Sequence, residues 1–506
     1  MMTTVLLVVL FTVCVYLYSI MKAKMTRFEK LNIPHERPWI FLGNMAPFCF
    51  GRMSMTETLQ TLYKRFSYAK YFGLYNFTTP VFMIRDPDLI TSIAIKNFDN
   101  FCDHRNFVNQ ELDPIASRNL FGLRGDHWRE MRKLLSPAFT SSKMKMMFGL
   151  MTECADNFSK HMANTSKISR TINVKAEMCK YANDVVATCA FGISLDSFKH
   201  PDNEFYLLGR EAINFESGLS FKFFMNMNFP EIAKFFKIRV FNEKIENFFK
   251  EVVSSSVRIR DEKGITRPDM IQLMMETRDK STGPAFDMDE MTAQAFVFFI
   301  GGFDSVSWVM CFLAHEVAVN PDVQSKLKAE IEQVLEQNDG KPTYEAINSM
   351  KYMDAVITEC LRMYPLGAFL DRLCVKEFEL PPPTPNSKPI TVKPGESIWF
   401  SSYPLHRDPT YYPEPDKFNP DRFLNSHTDS SIYLPFGIGP RICIGNRFAL
   451  MEMKVMLFYI LWRCTLEPDT KTRIPMVLKK RSLMMIPDGG FWLKIRARES
   501  TAPVAQ

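Results

Sequence analysis

The chain has no Cys-x-x-Cys pair, although it carries 11 cysteines among 506 residues. Structural zinc sites built on such pairs are therefore excluded. The odd number and irregular spacing of the cysteines argue against a disulfide framework and for a reducing compartment. There is no Gly/Ser linker, low-complexity tract, internal repeat or long charge block. Chain length alone would suggest roughly three or four domains, but without linkers the better reading is one large helical unit. Charge of either sign is in short surplus, with a formal net of +6. That is too mild for a nucleic-acid partner, and no basic array alternates with aromatics. A basic patch for an acidic protein partner stays open.

What is plentiful is apolar. Hydrophobic residues make up 46%, with 44 Phe and 32 Met. Both suit a large, adaptable cavity, and both also fill cores. Val5 to Met21 is apolar apart from tyrosines and carries no charge. At 17 residues it sits at the short end of a spanning helix. Lys22, Lys24, Arg27 and Lys30 follow, and no Lys or Arg precedes. Positive charge on that side places the body of the chain in the cytosol. A cleaved secretory signal is the competing reading, but a basic leading region and a small-residue cleavage site are missing. The expected organisation is an anchor over 1–21, a basic, proline-containing linker over 22–43 and a catalytic body over 44–500. Three sequons, at Asn76, Asn157 and Asn164, would go unused in the cytosol.

One short stretch carries most of the chemistry: Phe436-Gly437-Ile438-Gly439-Pro440-Arg441-Ile442-Cys443-Ile444-Gly445. A cysteine sits in a glycine-bounded turn just before a helix-like run, Asn446 to Trp462. This is the arrangement a thiolate ligand to haem iron needs. Gly437 and Gly439 open backbone angles closed to other residues. Loop amides and the following helix N-terminus favour thiolate over thiol. Arg441 is placed to meet a haem propionate through charge-assisted hydrogen bonds. Gly445 lets the helix approach the porphyrin, and Phe436 can shield the iron–sulfur bond from water.

The stretch resembles the haem-binding signature of the cytochrome P450 family, Phe-x-x-Gly-x-Arg-x-Cys-x-Gly, at every fixed position. Other motifs follow in that family's order. Gly301-Gly302-Phe303-Asp304-Ser305-Val306-Ser307 resembles its oxygen-activation motif, with Ser305 where Thr is usual and Gly301 where Ala is usual. Adjacent helical glycines cost about 1 kcal/mol each, which suggests a close approach by haem and dioxygen. A neighbouring acid and hydroxyl, Asp304 and Ser305, can relay protons as general acids. Ser305 keeps the hydroxyl but lacks the β-methyl that restricts a threonine rotamer. Glu359-Cys360-Leu361-Arg362 resembles the family's Glu-x-x-Arg. Phe418-Asn419-Pro420-Asp421-Arg422-Phe423 resembles the loop whose arginine completes that pair. By resemblance, Glu359, Arg362 and Arg422 form a buried structural network behind the haem loop. Trp128 and Arg132, four apart on one helix face, resemble a propionate-binding pair. Arg372 matches a further propionate arginine, with His104 or Arg105 as another.

The resemblance implies a mainly α fold with small β-sheets: a single large domain behind an N-terminal transmembrane helix. It implies haem b bound by Cys443, which donates electron density to iron and favours O–O cleavage. It further implies electrons from NADPH through NADPH–cytochrome P450 reductase, with cytochrome b5 as an additional partner. The expected activity is monooxygenation of a lipophilic small molecule at the endoplasmic reticulum membrane, closest to insect members of the branch that includes vertebrate drug-metabolising enzymes. The alternative is a haem-thiolate isomerase or dehydratase of lipid hydroperoxides, needing no reductase. The retained Asp304–Ser305 pair argues against it.

Strand character runs through Tyr71 to Ile84 and Ile390 to Phe400. Helical patterns run through Asp126 to Phe139, Leu327 to Gln337 and Met291 to Val319. The last is apolar on nearly every face and reads as a core helix. A second membrane span there is countered by Gln294, Asp304, His315 and Glu316. Phe215 to Phe241 is dense in Phe and Met with interleaved Lys, fit for a bilayer surface. Arg129, Lys133, Lys143, Lys145, Arg447 and Lys454 form a candidate reductase face.

Overall fold

The computed structural model describes residues 2–168, 171–213, 219–280, 286–424 and 429–498. The start of the Phe215 stretch and the expected domain end at 500 lie outside the described residues. The helices that matter for the site are α1 (Met2–Met25), α2 (Gly125–Leu135), α3 (Ser141–Ile168), α4 (Val174–Val186), α5 (Met288–Ile300), α6 (Val306–Val319), α7 (Lys351–Met363) and α8 (Asn446–Arg463). A π-helical segment, Gly301–Ser305, joins α5 to α6 in one central rod. Among the described residues this rod, Met288–Val319, is the one helix that passes for a membrane span by length and composition, yet most of it is buried inside the protein.

The sheets are small. Strands β1 (Tyr71–Asn76), β2 (Thr79–Ile84), β4 (Leu370–Leu373) and β7 (Ser397–Phe400) form a four-stranded sheet in the order β1-β2-β7-β4. β3 (Thr171–Asn173), β9 (Trp492–Ala497) and β8 (Cys464–Pro468) form a second, and β5 (Phe378–Leu380) pairs with β6 (Ile390–Val392) in a third. The expected strand run Tyr71–Ile84 is a hairpin, turned at Phe77 with φ +56°. The expected run Ile390–Phe400 splits at Gly395 (φ +89°), so its halves join different sheets. The helix expected over Asp126–Phe139 stops at Leu135 and finishes as a 3₁₀ turn, Ser136–Phe139, because Pro137 cannot donate to the ladder.

The phenylalanine surplus goes largely into packing. Phe249, Phe296, Phe299 and Phe303 are fully buried. Phe249 meets Phe296 edge-on at 5.1 Å and Phe299 stacks on Phe303 at 5.2 Å. Gly209 has no room for a side chain, since a Cβ there would lie 2.3 Å from the Phe299 ring. Asn76, the first sequon, is buried in β1.

Candidate active site

The cysteine loop is shaped by its glycines. Gly437 (φ +84°) and Gly439 (φ +73°) take left-handed angles, and a Cβ on Gly439 would collide with the Ala94 carbonyl at 2.2 Å. Pro440 and Arg441 complete a 3₁₀ turn. The Cys443 amide then donates to the Phe436 carbonyl at 2.8 Å, closing the loop. Cys443 presents solvent-accessible surface, unlike most of the other cysteines. Protein atoms nevertheless crowd its sulfur. Burial pushes the thiol pKa up, while the Gly445 amide and the Arg132 charge pull it down. Both opposing groups favour a thiolate, and α8 starts directly after, at Asn446, with its dipole aimed the same way. Gly445 packs against the Phe139 ring, which its Cβ position would meet at 3.7 Å. Phe139 in turn lies edge-on to Phe298 of α5 at 5.4 Å. The loop is thereby tied to the central rod.

Beside the loop lies a cluster of buried guanidiniums. Arg441 donates to the backbone carbonyls of Cys102 (2.7 Å) and Leu123 (3.0 Å) and sits 3.4 Å from Asp103. Its guanidinium stacks over the Trp128 ring at 4.0 Å. Arg372 donates to the carbonyls of Asp371 (2.7 Å) and Ile438 (3.3 Å), but its Nε is buried without a partner. Burial pushes Arg441 down to about 9, with the Arg372 charge adding to the effect, and pushes Arg372 down to about 10. Arg124 feels the same two carboxylates, Asp103 and Asp371, and Arg105 feels Asp371. Arg105, Arg124, Arg372 and Arg441 outnumber those acids, so the cluster has buried positive charge to spare. Such a surplus calls for an external anion. Arg132 adds one more cation, and burial lowers its pKa too. Trp128, Arg132, Arg372, Arg441 and Cys443, singled out from sequence, are thus assembled in one region. A haem with its acidic propionates fits the unpartnered Arg372 Nε and the surplus charge.

A model of the family described as Cytochrome P450 matches residues 33–493. The chain belongs to the cytochrome P450 family. Among curated relatives, Cytochrome P450 9e2 of Blattella germanica is 43% identical over 503 residues, covering 93% of this chain and 94% of the relative. Probable cytochrome P450 9h1 of Drosophila melanogaster is 35% identical, covering 98% and 99%. Cytochrome P450 9b1 of the same species is 37% identical, covering 97% and 98%. This cytochrome P450 is accordingly a haem-thiolate oxidoreductase of the monooxygenase type.

The support behind the P450 haem loop is the network expected from Glu359, Arg362 and Arg422. Glu359 and Arg362 are both at 0% side-chain exposure and meet through two bonds, of 2.6 and 2.9 Å. Arg422 Nε and the Asn419 amide also donate to Glu359, at 3.1 and 2.9 Å. Arg362 reaches on to the His406 carbonyl at 2.7 Å. Burial pushes His406 down to about 3, so its ring is neutral. Because the Leu434 amide donates to His406 Nε2 (2.8 Å), the ring proton sits on Nδ1 and faces the Arg362 carbonyl at 3.1 Å. Leu434 is two residues from Phe436, so the network braces the loop directly.

Asp304 and Ser305 stand in the π segment but point apart. The Ser305 hydroxyl donates back to the Gly301 carbonyl. The Asp304 carboxylate is buried and meets Lys175 of α4 at 3.2 Å. The two glycines also differ. A Cβ on Gly302 would lie 2.5 Å from Val186, so close packing of α4 explains that glycine. Gly301 is exposed within a buried rod, with open space where its Cβ would be. Sequence reasoning missed Lys175, Arg124, Asp103 and Asp371. Asp371 precedes Arg372 and Arg124 precedes the Trp128 helix, a proximity that hinted at both; nothing local marked Lys175.

Near the site, Phe303 is core, and Phe369 stacks on Trp399 at 3.6 Å. Phe121 is half exposed and stacks on Phe107 and His104. Of the expected reductase face, Lys454 is buried and paired with Asp354 at 2.6 Å, which takes it off the surface. Arg129 pairs with Asp99 and Lys145 with Glu345.

Proposed function

We propose that this cytochrome P450 inserts one oxygen atom from dioxygen into lipophilic small molecules, xenobiotic or endogenous, using electrons from NADPH delivered by NADPH–cytochrome P450 reductase. The observation that carries this is the accessible Cys443 in its closed turn beside a surplus of buried guanidiniums. When bound, haem supplies the iron centre at which dioxygen is activated. In this reading Cys443 would hold the haem iron through its sulfur, and its Gly445 and Arg132 surroundings favour the thiolate. Arg441, Arg372, Trp128 and Arg132 would hold and orient the propionates. Phe436 and Gly445 shape the sulfur side of the pocket. Asp304 and Ser305 would handle protons for the reaction.

The protein works at the endoplasmic reticulum membrane in this reading, with α1 as anchor and the catalytic body in the cytosol. Val5, Leu6, Leu7, Phe11 and Tyr16 of α1 are exposed. Trp39, Ile40, Phe41 and Phe50 are also exposed, as are Ile232, Phe235 and Phe236. Phe224, on the Ser220–Asn228 helix just before Ile232, packs on Phe77 at 4.5 Å, and the Phe77 carbonyl abuts Gly43. The apolar groups thus lie near one another, with Lys234 and Lys237 among them, as suits a bilayer surface.

The test is turnover in a reconstituted system with NADPH, reductase, isotopically labelled dioxygen and a panel of lipophilic compounds, read by mass spectrometry. Label in a product, dependent on NADPH and lost in Cys443→Ala, is the expected result. Conversion of lipid hydroperoxides without NADPH and without label would move the protein to the isomerase class.

A further inference from the structure

Gln294 stands in α5, on the central rod, and is fully buried. A carboxamide carries an acceptor at one end and a donor at the other, and both are used. Gln294 Oε1 accepts from the Leu120 amide at 2.8 Å, and Nε2 donates to the Arg118 carbonyl at 3.0 Å. Residues 118–124 form no helix or strand, so Gln294 supplies hydrogen bonds that regular structure would otherwise provide. Removing it would leave a main-chain donor and a main-chain acceptor unpaired against the rod. Gln294 precedes Gly301 by seven residues, which is about two helical turns, so the two share one face of the rod.

The turn that Gln294 grips is stiff. Asn119 Oδ1 accepts from the Phe121 and Gly122 amides at 3.0 and 3.1 Å, and the Asn119 carbonyl accepts from the Leu123 amide at 2.9 Å. A Cβ on Gly122 would lie 2.6 Å from the Ser117 carbonyl. A shift at Arg118 or Leu120 is thus passed along the turn rather than absorbed in it. The far end of the turn meets the arginine cluster. The Leu123 carbonyl accepts from Arg441 at 3.0 Å, and Arg124 donates to the His104 carbonyl at 2.8 Å. The Gly125 amide donates to Asp103 at 2.8 Å and opens α2, which carries Trp128 and Arg132. The rod holds one end of the turn, and the haem-pocket residues hang from the other.

We propose that Gln294 is a positioning residue for the haem pocket: by gripping the 118–124 turn from the central rod, it sets where Arg441 and the start of α2 stand, and through them the electrostatic environment of the haem. The proposal rests on the reading above that Arg441, Trp128 and Arg132 hold the propionates. The influence of Gln294 runs through the turn. It carries no charge of its own, and its side chain ends on the main chain of Arg118 and Leu120.

The test uses the haem-loaded protein and the variants Gln294→Met, Gln294→Glu and Arg441→Lys. Methionine keeps the length of the side chain and removes both hydrogen bonds. Hydrogen–deuterium exchange of the peptide spanning 118–124 reads the grip. The haem reduction potential, by spectroelectrochemistry, and the propionate bending bands in resonance Raman spectra read its consequence. In Gln294→Met, exchange at 118–124 rises several-fold and the propionate bands shift in the direction they take in Arg441→Lys. The potential falls, because a displaced guanidinium stabilises the reduced haem less. In Gln294→Glu the buried carboxyl is neutral at the acid end of a pH titration. There it both accepts and donates, and it restores exchange, bands and potential towards wild type. Unchanged exchange in Gln294→Met overturns the grip. Faster exchange with unchanged potential and bands overturns the positioning role and leaves Gln294 a local structural residue, as does a neutral glutamate that fails to restore the potential. If Gln294→Met does not load haem, Gln294→Asn, whose amide is one methylene short of the turn, gives the same readouts. If Arg441→Lys leaves the propionate bands in place, the propionate reading fails and the haem consequence with it, while exchange still decides the grip.

Discussion

Arg362→Met would remove one half of an ion pair that no water reaches. In the native protein Arg362 neutralises Glu359 through bonds of 2.6 and 2.9 Å, with neither side chain exposed. Deleting one partner of a buried pair costs about 3–5 kcal/mol, mostly because the other charge stays behind unpaired. Here Glu359 would retain Arg422 and the Asn419 amide, which places the expected loss near the low end, about 3 kcal/mol. That is a large share of the roughly 5–15 kcal/mol that holds a typical domain together. Urea unfolding of the holoprotein followed by circular dichroism measures it. The double variant Arg362→Met/Glu359→Leu removes both charges and is expected to recover much of the loss, since replacing a whole buried pair is often near neutral. Haem release should also quicken in the single variant, because Arg362 connects through His406 to Leu434 and the cysteine loop. A single variant that loses less than about 1 kcal/mol, the scale of an exposed pair, would refute the reasoning. So would a double variant weaker than the single.

Three further predictions concern positions in α8 and the central rod. Glu452 is fully buried, and neither carboxyl oxygen has a partner. Burial holds its pKa well above the ordinary 4.5, so the folded state keeps a proton that the unfolded chain releases. This group's contribution to stability is complete below about pH 4.5 and drains away as pH rises towards the folded value. Glu452→Met should therefore stabilise the protein by about 1–3 kcal/mol at neutral pH, with a gain over wild type in denaturant midpoint that shrinks at pH 4; a gain independent of pH would contradict the assignment. Gly302→Ala should destabilise by about 1–3 kcal/mol through overpacking against Val186, and Val186→Ala should relieve it. Gly301→Ala should raise the unfolding temperature instead, because open space surrounds its Cβ position and alanine favours a helix by about 1 kcal/mol.

The cysteine loop was legible because its chemistry is local. A turn that needs positive φ at Gly437 and Gly439 must write glycine there, and the cysteine and arginine fall within the same ten-residue stretch. The central rod was legible as a helix from its unbroken apolar character. Its π segment was not, and neither was the close approach of Gly302 to Val186, which only the packing of α4 on the rod creates. The same limit explains Lys175, which looks like any surface lysine until α4 is laid against the rod. It also explains the arginine cluster: the motifs mark Arg132, Arg372 and Arg441 one at a time, and only folding brings Arg105 and Arg124 beside Arg372 and Arg441 and shows that these four outnumber Asp103 and Asp371. Phenylalanine content misled in the opposite direction, because cores and cavities draw on the same residue and composition does not separate them.

Gly301 and Gly302 are neighbours with opposite histories available to them. Position 302 is locked, since any side chain there would drive two helices apart. Position 301 is free, and one base change turns its glycine codon into alanine without straining the fold. Variation can therefore accumulate at one position while its neighbour stays fixed. The central rod thus carries, side by side, a position free to change and one that holds the architecture.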